Sequence, residues 1–530
     1  MFEISLAEQF ALPSLIRSVV VAGIIMLIAL IRPSWADEPG ALPVFPPVEA
    51  AAAISEHALA VAAVAGEIAH KQQLLRLFPN PTTITQPTPA VIPQMQIDGD
   101  PSGMIATFQP SGPTPTASNA FFQNLGTNGR TCFTCHEPQD GWSLSAQHAQ
   151  ARFNADPNDP LFRRVDGATC PSDDVSTLDA ERAAYSLLTS KGLIRIGLPM
   201  QSAMEFQILQ VDDPYGCTTS AVTGLTGSKS GIVSVYRRPP PAANLGFLST
   251  IMWDGREDDL FQQSVDATLG HAEANAALTS VQQQQIVNFE GGLFTAQIDD
   301  DSAGGLTDAG ANGGPTPLAM SITKFFIGIN DPLGLNPTGA AFSPVIFHLY
   351  DAWSGLSGGD GTVAARGAIA RGQQLFNSVP INITGVDGLN DVLNLSTISG
   401  FCGTCHDTPD VGNHSVKAPL NIGIANAGKE SPPRLDISGL PIFTLWCTAG
   451  PLAGKTFRVT DIGRAMISGK CADIGKIKGP VLRGLAARAP YFHNGSAATL
   501  SDVIEFYDQR FEIGLTAQQK ADLVAFLNAL

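Results

Sequence analysis

Most hydrophobic positions that show a period in this chain recur at helical spacing, with irregular segments between them. Between Pro47 and Phe78, the residues Ile54, Leu59, Val61, Val64, Ile68, Leu74 and Leu75 are spaced to give one helical apolar face. Repeated prolines then break the pattern from Pro79 to Pro115, which reads as an extended linker or wrapping arm. Asn119 to Gly126 reads as a short helix, Thr177 to Lys191 as a longer one, and Leu193 to Leu198 as a strand. Ile298 to Pro317 holds many glycines and three consecutive aspartates without EF-hand spacing, so a solvated surface loop is expected there rather than a calcium site. Pro344 to Trp353 and Ala364 to Phe376 are expected as helices. The chain ends in two amphipathic helices, Leu500 to Phe511 and Thr516 to Leu530, parted by Gly514.

Composition adds limits. A chain of 530 residues has room for two or three domains, and 44% hydrophobic against 15% charged residues is ordinary for a folded protein. A net charge of −17 excludes a nucleic-acid partner, because nothing neutralises a run of phosphates. It leaves open a basic or dipolar redox partner. At the N-terminus, Arg17 precedes an apolar run from Val19 to Ile31, followed by Arg32-Pro33 and Ser34-Trp35-Ala36. That run falls short of the ~20 residues a membrane span needs, and its flanks suit cleavage before Asp37. Residues 1–36 therefore read as a signal peptide, with membrane contact only if that segment stays uncleaved.

Two short stretches carry the chemistry: Cys132-Phe-Thr-Cys135-His136 and Cys402-Gly-Thr-Cys405-His406. Two thiols at this spacing each add across one haem vinyl group, and the following imidazole is placed to ligate the iron. Zinc would use the thiols without needing that histidine, and so would a redox dithiol. The chain is expected to carry two covalently bound c-type haems and no internal repeat beyond the two motifs. Thioether attachment takes place outside the bacterial cytoplasm, so a periplasmic or secreted protein is expected. In an oxidising compartment the four remaining cysteines suggest disulfides. Pairing within each haem region gives Cys170–Cys217 and Cys447–Cys471, one of three possible connectivities. The expected organisation is 1–36 signal peptide, 37–117 N-terminal helix and proline-rich arm, 118–345 first haem domain with an insertion, and 346–530 second haem domain. The expected fold class is mainly α, two cytochrome c-like haem domains with long irregular insertions.

From Arg237 onward the chain resembles the bacterial dihaem cytochrome c peroxidase superfamily, which includes the MauG-type enzymes and the rubber oxygenases. The resemblance rests on Arg237-Arg-Pro-Pro-Pro-Ala-Ala-Asn244 and Met252-Trp-Asp-Gly-Arg256, with Leu260 and Gln263. It continues in the second haem motif after Arg371-Gly-Gln-Gln-Leu-Phe376, then Lys478-Gly-Pro-Val-Leu-Arg483 and Ala489-Pro-Tyr-Phe-His-Asn-Gly-Ser496. The long insertion after the first haem motif lies outside the peroxidase pattern and is similar to one in the rubber oxygenases.

The resemblance implies an N-terminal haem with proximal ligand His136 and an open face. An ungapped count from Trp253 places Glu273 at the peroxidases' distal acid and Gln263 beside it, with Trp253 as the electron relay between haems. His271 reads as a polar neighbour and His148 as a surface histidine. Arg256 and Arg483 suit haem propionates, because a guanidinium fork matches a carboxylate. His406 is proximal at the second haem. Its sixth ligand is His493, as in the rubber oxygenases, or Tyr507, as in the MauG-type enzymes; Met466 is a further candidate, and His493 is slightly favoured. Arg238 stands where the peroxidases use an asparagine beside calcium, so calcium is unlikely. The expected function is an exported oxidoreductase activating hydrogen peroxide at the first haem, with electrons relayed through the second from a small redox-protein donor. The alternatives are a dioxygen-dependent oxygenase of an apolar polymer and a plain dihaem electron carrier.

Overall fold

The computed structural model describes residues 88–217, 231–359, 361–427 and 435–530. They fall within one compact unit running from Ala69 to Leu530. The signal segment 1–36, the helix expected over 47–78 and the start of the proline-rich arm lie outside the described residues.

The architecture corrects the mainly-α expectation. It is mixed α/β, with 32% helix, 17% strand and 13 strands in several sheets. Much of the strand content comes from segments whose sequence shows no helical period. Within the arm expected as a linker, Met95–Asp100 and Gly103–Phe108 pair antiparallel, and the second strand pairs with Phe294–Asp300. Phe294–Asp300 turns tightly into Gly304–Gly305 to complete a four-stranded sheet. The three aspartates thus end a strand and begin a hairpin turn, while Ala303 and Leu306 are buried beside Tyr350 and Trp353.

The described part of the long insertion is also built of helices and strands. Thr177 to Lys191 forms two helices, Leu178–Ala184 and Ser186–Lys191, interrupted at Tyr185. The expected strand is present as Ile194–Pro199, paired with Ile232–Arg237. Phe206–Asp212 joins Ile442–Cys447 and Thr456–Val459, so one sheet is built from segments more than 200 residues apart. These strands share a core of Leu198, Val233, Val235, Phe443, Leu445 and Met466, which makes Met466 a packing residue. Of the three disulfide connectivities, the structure forms Cys170–Cys217 and Cys447–Cys471.

Pro344 to Trp353 is not a helix; only Asp351–Trp353 makes a 3₁₀ turn. Its backbone donors are taken by side chains instead: Asn377 accepts from Ile346 and Phe347, and Gln373 accepts from Tyr350. Asn377 and Gln373 belong to Gly361–Ser378, the helix expected over 364–376, which crosses the C-terminal helix Ala517–Asn528. At the crossing a Cβ on Gly372 would sit 2.0 Å from the Asp522 carbonyl oxygen, so only glycine fits. Asn119 to Gly126 shrinks to the 3₁₀ turn Ala120–Phe122, which buries Phe121 and Phe122 against Phe289.

Candidate functional site: two facing cavities built on one repeated frame

Each cysteine–histidine motif begins as a 3₁₀ turn, Cys132–Thr134 and Cys402–Thr404. In both, the histidine Nδ1 bonds a main-chain carbonyl six residues on: His136 to Trp142 at 2.9 Å, His406 to Gly412 at 2.7 Å. A carbonyl only accepts, so Nδ1 carries the proton and Nε2 keeps its lone pair. Burial lowers both imidazoles to about 4, which keeps them neutral and ready to ligate a metal. The four thiols are unpaired, and burial pushes Cys135 up to about 11 and Cys402 and Cys405 to about 12. Such thiols are poor nucleophiles, unlike those of a redox dithiol.

His136, Cys132 and Cys135 line a cavity of about 120 Å³; His406, Cys402 and Cys405 line one of about 210 Å³. Each is roughly tenfold larger than the ~10–15 Å³ that admits one water. The second wall is predominantly apolar, with Ile381, Ile383, Leu420, Ile422, Ile424 and Phe492 among its side chains. Thiols, a neutral imidazole and an apolar enclosure in each cavity fit a covalently held haem.

A second repeat, unread in the sequence, organises the faces opposite these histidines. Residues 251–271 and 491–511 have the same backbone course, offset by 240. Ile251 bridges Glu257 as Tyr491 bridges Ala497, and the left-handed Met252 (φ 61°) and Gly255 (φ 68°) match Phe492 (65°) and Gly495 (64°). N-caps Asp259 and Thr499 then start the helices Leu260–His271 and Leu500–Phe511. Equivalent positions on these helices face equivalent cavities. In the first they are Leu260, Gln263, Ser264, Ala267 and His271; in the second, Leu500, Val503, Ile504, Tyr507 and Phe511. The first wall is polar with a small residue at its middle. The second is apolar apart from one phenol.

His271 has the most developed surroundings on the polar wall. Its Nδ1 lies 2.6 Å from Asp166 Oδ2, and the same carboxylate bonds Arg130. Burial pushes Asp166 up, but Arg130 and His271 outweigh it and hold the carboxyl below its usual range. An ionised Asp166 accepts, so His271 Nδ1 donates and Nε2 is left as a base. Asp166 comes from the long segment that follows the first cysteine–histidine motif. Glu290 also lines this cavity, with Oε2 unpartnered, and burial alone pushes its carboxyl up to about 8.

The other predicted site residues divide. Gln263 lines the first cavity. Glu273 does not: the helix ends at His271, and Glu273 stands exposed at φ 54°, bonded to Asn128 at 3.1 Å. His148 is half-buried, pairs with the buried Asp140 at 2.7 Å and lines neither cavity. Trp253 lines the second cavity while its neighbour Met252 lines the first. Its Nε1 donates to the Arg238 carbonyl at 2.7 Å, and its ring centroid is 6.2 Å from that of His493.

Tyr507 and His493 both line the second cavity. The phenol lies near enough to Cys405 and Cys402 for their charges to add to the burial that raises its pKa, and its hydroxyl makes no hydrogen bond among the described residues. His493 is fully buried, with Nε2 at 3.4 Å from Asp461 Oδ2, close enough for an ion pair but not aligned as a hydrogen bond. Asp461 and Asp254 flank the buried Arg237 at 2.6 and 2.5 Å. Arg237→Met strands both carboxylates, and loss of one partner of a buried pair costs about 3–5 kcal/mol. A clear fall in the thermal midpoint is expected, and an unchanged midpoint would refute this account of the cluster.

Neither arginine expected at propionates faces a cavity. Arg256 is bound to Asp254 at 3.0 Å, and Arg483 donates to the carbonyls of Leu530, Asp410 and Gly314. The Arg483 fork is spent within the protein, and Arg256 is tied to Asp254 through Nη1. Arg238, also buried, donates to the carbonyls of Arg488, Pro490 and Leu144, an oxygen set that a hard cation would otherwise use.

No family model matches the chain. Over 150 residues, 26% of its length, it is 33% identical to the cytochrome-c peroxidase IdrP2 of Denitromonas iodatirespirans, spanning 38% of that protein. Over 69 residues, 11% of its length, it is 44% identical to cytochrome-c peroxidase IdrP1 of the same organism, spanning 18% of it. Over part of its length, and at modest identity, the chain is thus similar to proteins named cytochrome-c peroxidase. Its match spans less than two-fifths of these curated relatives. A solved MauG-like protein associated with microbial copper homeostasis aligns over 78% of this chain and 87% of its own, at 16% identity and a TM-score of 0.32.

Proposed function

We propose that the protein is an exported dihaem oxidoreductase that reduces hydrogen peroxide at the first cavity and stores electrons at the second. One contrast carries this reading: where the second cavity presents Tyr507, the first presents Ala267 in a wall that also holds Gln263 and His271. A bound haem would supply an iron that accepts a peroxide oxygen at an open face or exchanges electrons at a closed one. His136 and His406 would hold it from below, with Tyr507 closing the second cavity and Ala267 leaving the first open.

The chain's own residues handle the protons. Peroxide cleavage needs a proton moved from one oxygen to the other, and His271 Nε2 is the base available on the polar wall. Asp166 stabilises the resulting imidazolium, Arg130 holds Asp166, and the Gln263 amide positions the substrate. Glu290, protonated at neutral pH, is a further proton source. Two electrons and two protons convert each peroxide to two waters, the electrons coming from a small redox-protein donor past Trp253.

The test is a haem count by the pyridine haemochrome spectrum, with electron paramagnetic resonance before and after peroxide. Two haems are expected, one high-spin and altered by peroxide, one low-spin. Two low-spin haems indifferent to peroxide would overturn the reading in favour of an electron carrier. A stable dioxygen adduct in the isolated protein would favour the oxygenase.

A further inference from the structure

Lys478 lines both cavities and also the narrow cleft between them, where Ser249 and Thr250 meet His414 and Pro419. Its backbone N–H donates to the Trp253 carbonyl at 2.9 Å, and its ammonium lies 5.9 Å from the Trp253 ring centroid. The side chain is buried, yet its ammonium has no hydrogen bond or ion pair with protein among the described residues. Burial, then the nearby Arg488 cation, lower it to about 8, so most of its charge remains at neutral pH. A buried ammonium without an anion is costly, and native proteins rarely leave one so.

The other cations at the cavities are engaged. Arg130 is bound to Asp166, Arg238 to three carbonyls, and Arg488 to the carbonyls of Gly484, Val481 and Arg483. His414 Nε2 and Thr250 Oγ1, which line the same cleft, are also unpartnered, but they are buried and the cleft holds no free volume, so a carboxylate reaches Lys478 only from the two cavities. An unpaired ammonium that lines both cavities is a receptor for a carboxylate from either.

We propose that Lys478 is the shared counter-ion for carboxylate arms of the groups held in the two cavities. This rests on the two-haem reading. A haem carries two propionates, and Lys478 then supplies the contact that Arg256 and Arg483 do not. Its charge touches both cavities, so it favours electron uptake at both haems.

The test compares Lys478→Met with Lys478→Arg, by haem count and by redox titration of each haem's absorption. With two haems still attached, the Met variant is expected to lower both midpoint potentials, by at least a tenfold change in each reduction equilibrium, about 59 mV for one electron. The Arg variant is expected to stay near wild type. Unchanged potentials in the Met variant, or a shift confined to one haem, would overturn the shared role. If the Met variant does not mature, Lys478→Gln removes the charge while keeping a polar side chain and is titrated in its place. A wild-type count below two haems would instead overturn the reading on which the proposal stands.

Discussion

Replacing His271 by alanine is expected to slow the reaction with hydrogen peroxide by about 10²- to 10⁴-fold, the usual scale for losing a positioned proton carrier. The haem count should be unchanged, because His271 lies on the wall opposite the attachment motif. Asp166 enters the same step through its bond to His271 Nδ1. Asp166→Asn turns an acceptor into a group that can donate, so it no longer fixes the proton on His271 Nδ1. It is expected to lose much of the same rate and to change its pH dependence, whereas a residue serving only stability would leave that profile in place. Stopped-flow absorption at a series of pH values reads both variants. If His271→Ala reacts at the wild-type rate, the proton must travel by another group, with Glu290 next in line.

The haem motifs were legible because covalent chemistry dictates their spacing within five residues. The terminal helices were legible because their apolar faces recur at helical period. The proline-rich arm and the insertion were not, since their strands gain their partners only at long range, as Gly103–Phe108 does from Phe294–Asp300. The repeat offset by 240 residues escaped notice because it is a repeat of backbone. Between 251–271 and 491–511 only Gly255/Gly495 and Leu260/Leu500 coincide in identity. The spacing of left-handed residues and N-caps was the available signal.

The distal acid shows where counting along a chain fails. Glu273 is the right number of residues from Trp253, but the helix stops two residues short of it and the left-handed turn carries it outward. One helical face, read at intervals of three and four from Leu260, leads through Gln263 and Ala267 to His271. That periodic reading was possible from sequence; the partnership with Asp166 and Arg130, more than 100 residues away, was not. Arg256 and Arg483 illustrate a related limit. Their chemistry suits a propionate, but sequence does not show that Asp254 already holds one arm of Arg256 and that three carbonyls take the donors of Arg483.

The repeat also yields the most direct test of why the cavities differ. If Tyr507 closes the second cavity and Ala267 leaves the first open, Ala267→Tyr should install the same phenol at the equivalent position of the first. A tethered side chain competes from an effective concentration on the order of millimolar or above. Against micromolar peroxide, the rate should therefore fall by about 10³-fold, with the high-spin resonance replaced by a low-spin one. The spectral change separates a closed face from a merely crowded one, which would slow the reaction but leave the iron high-spin. Tyr507→Phe makes the reciprocal case, and loss of the second haem's low-spin signal is expected. If that signal persists and instead vanishes in His493→Ala, the axial role passes to the histidine beside Asp461. The open first cavity would then owe its state to the lack of a histidine at the equivalent position, where Trp253 stands and lines the second cavity instead, rather than to Ala267.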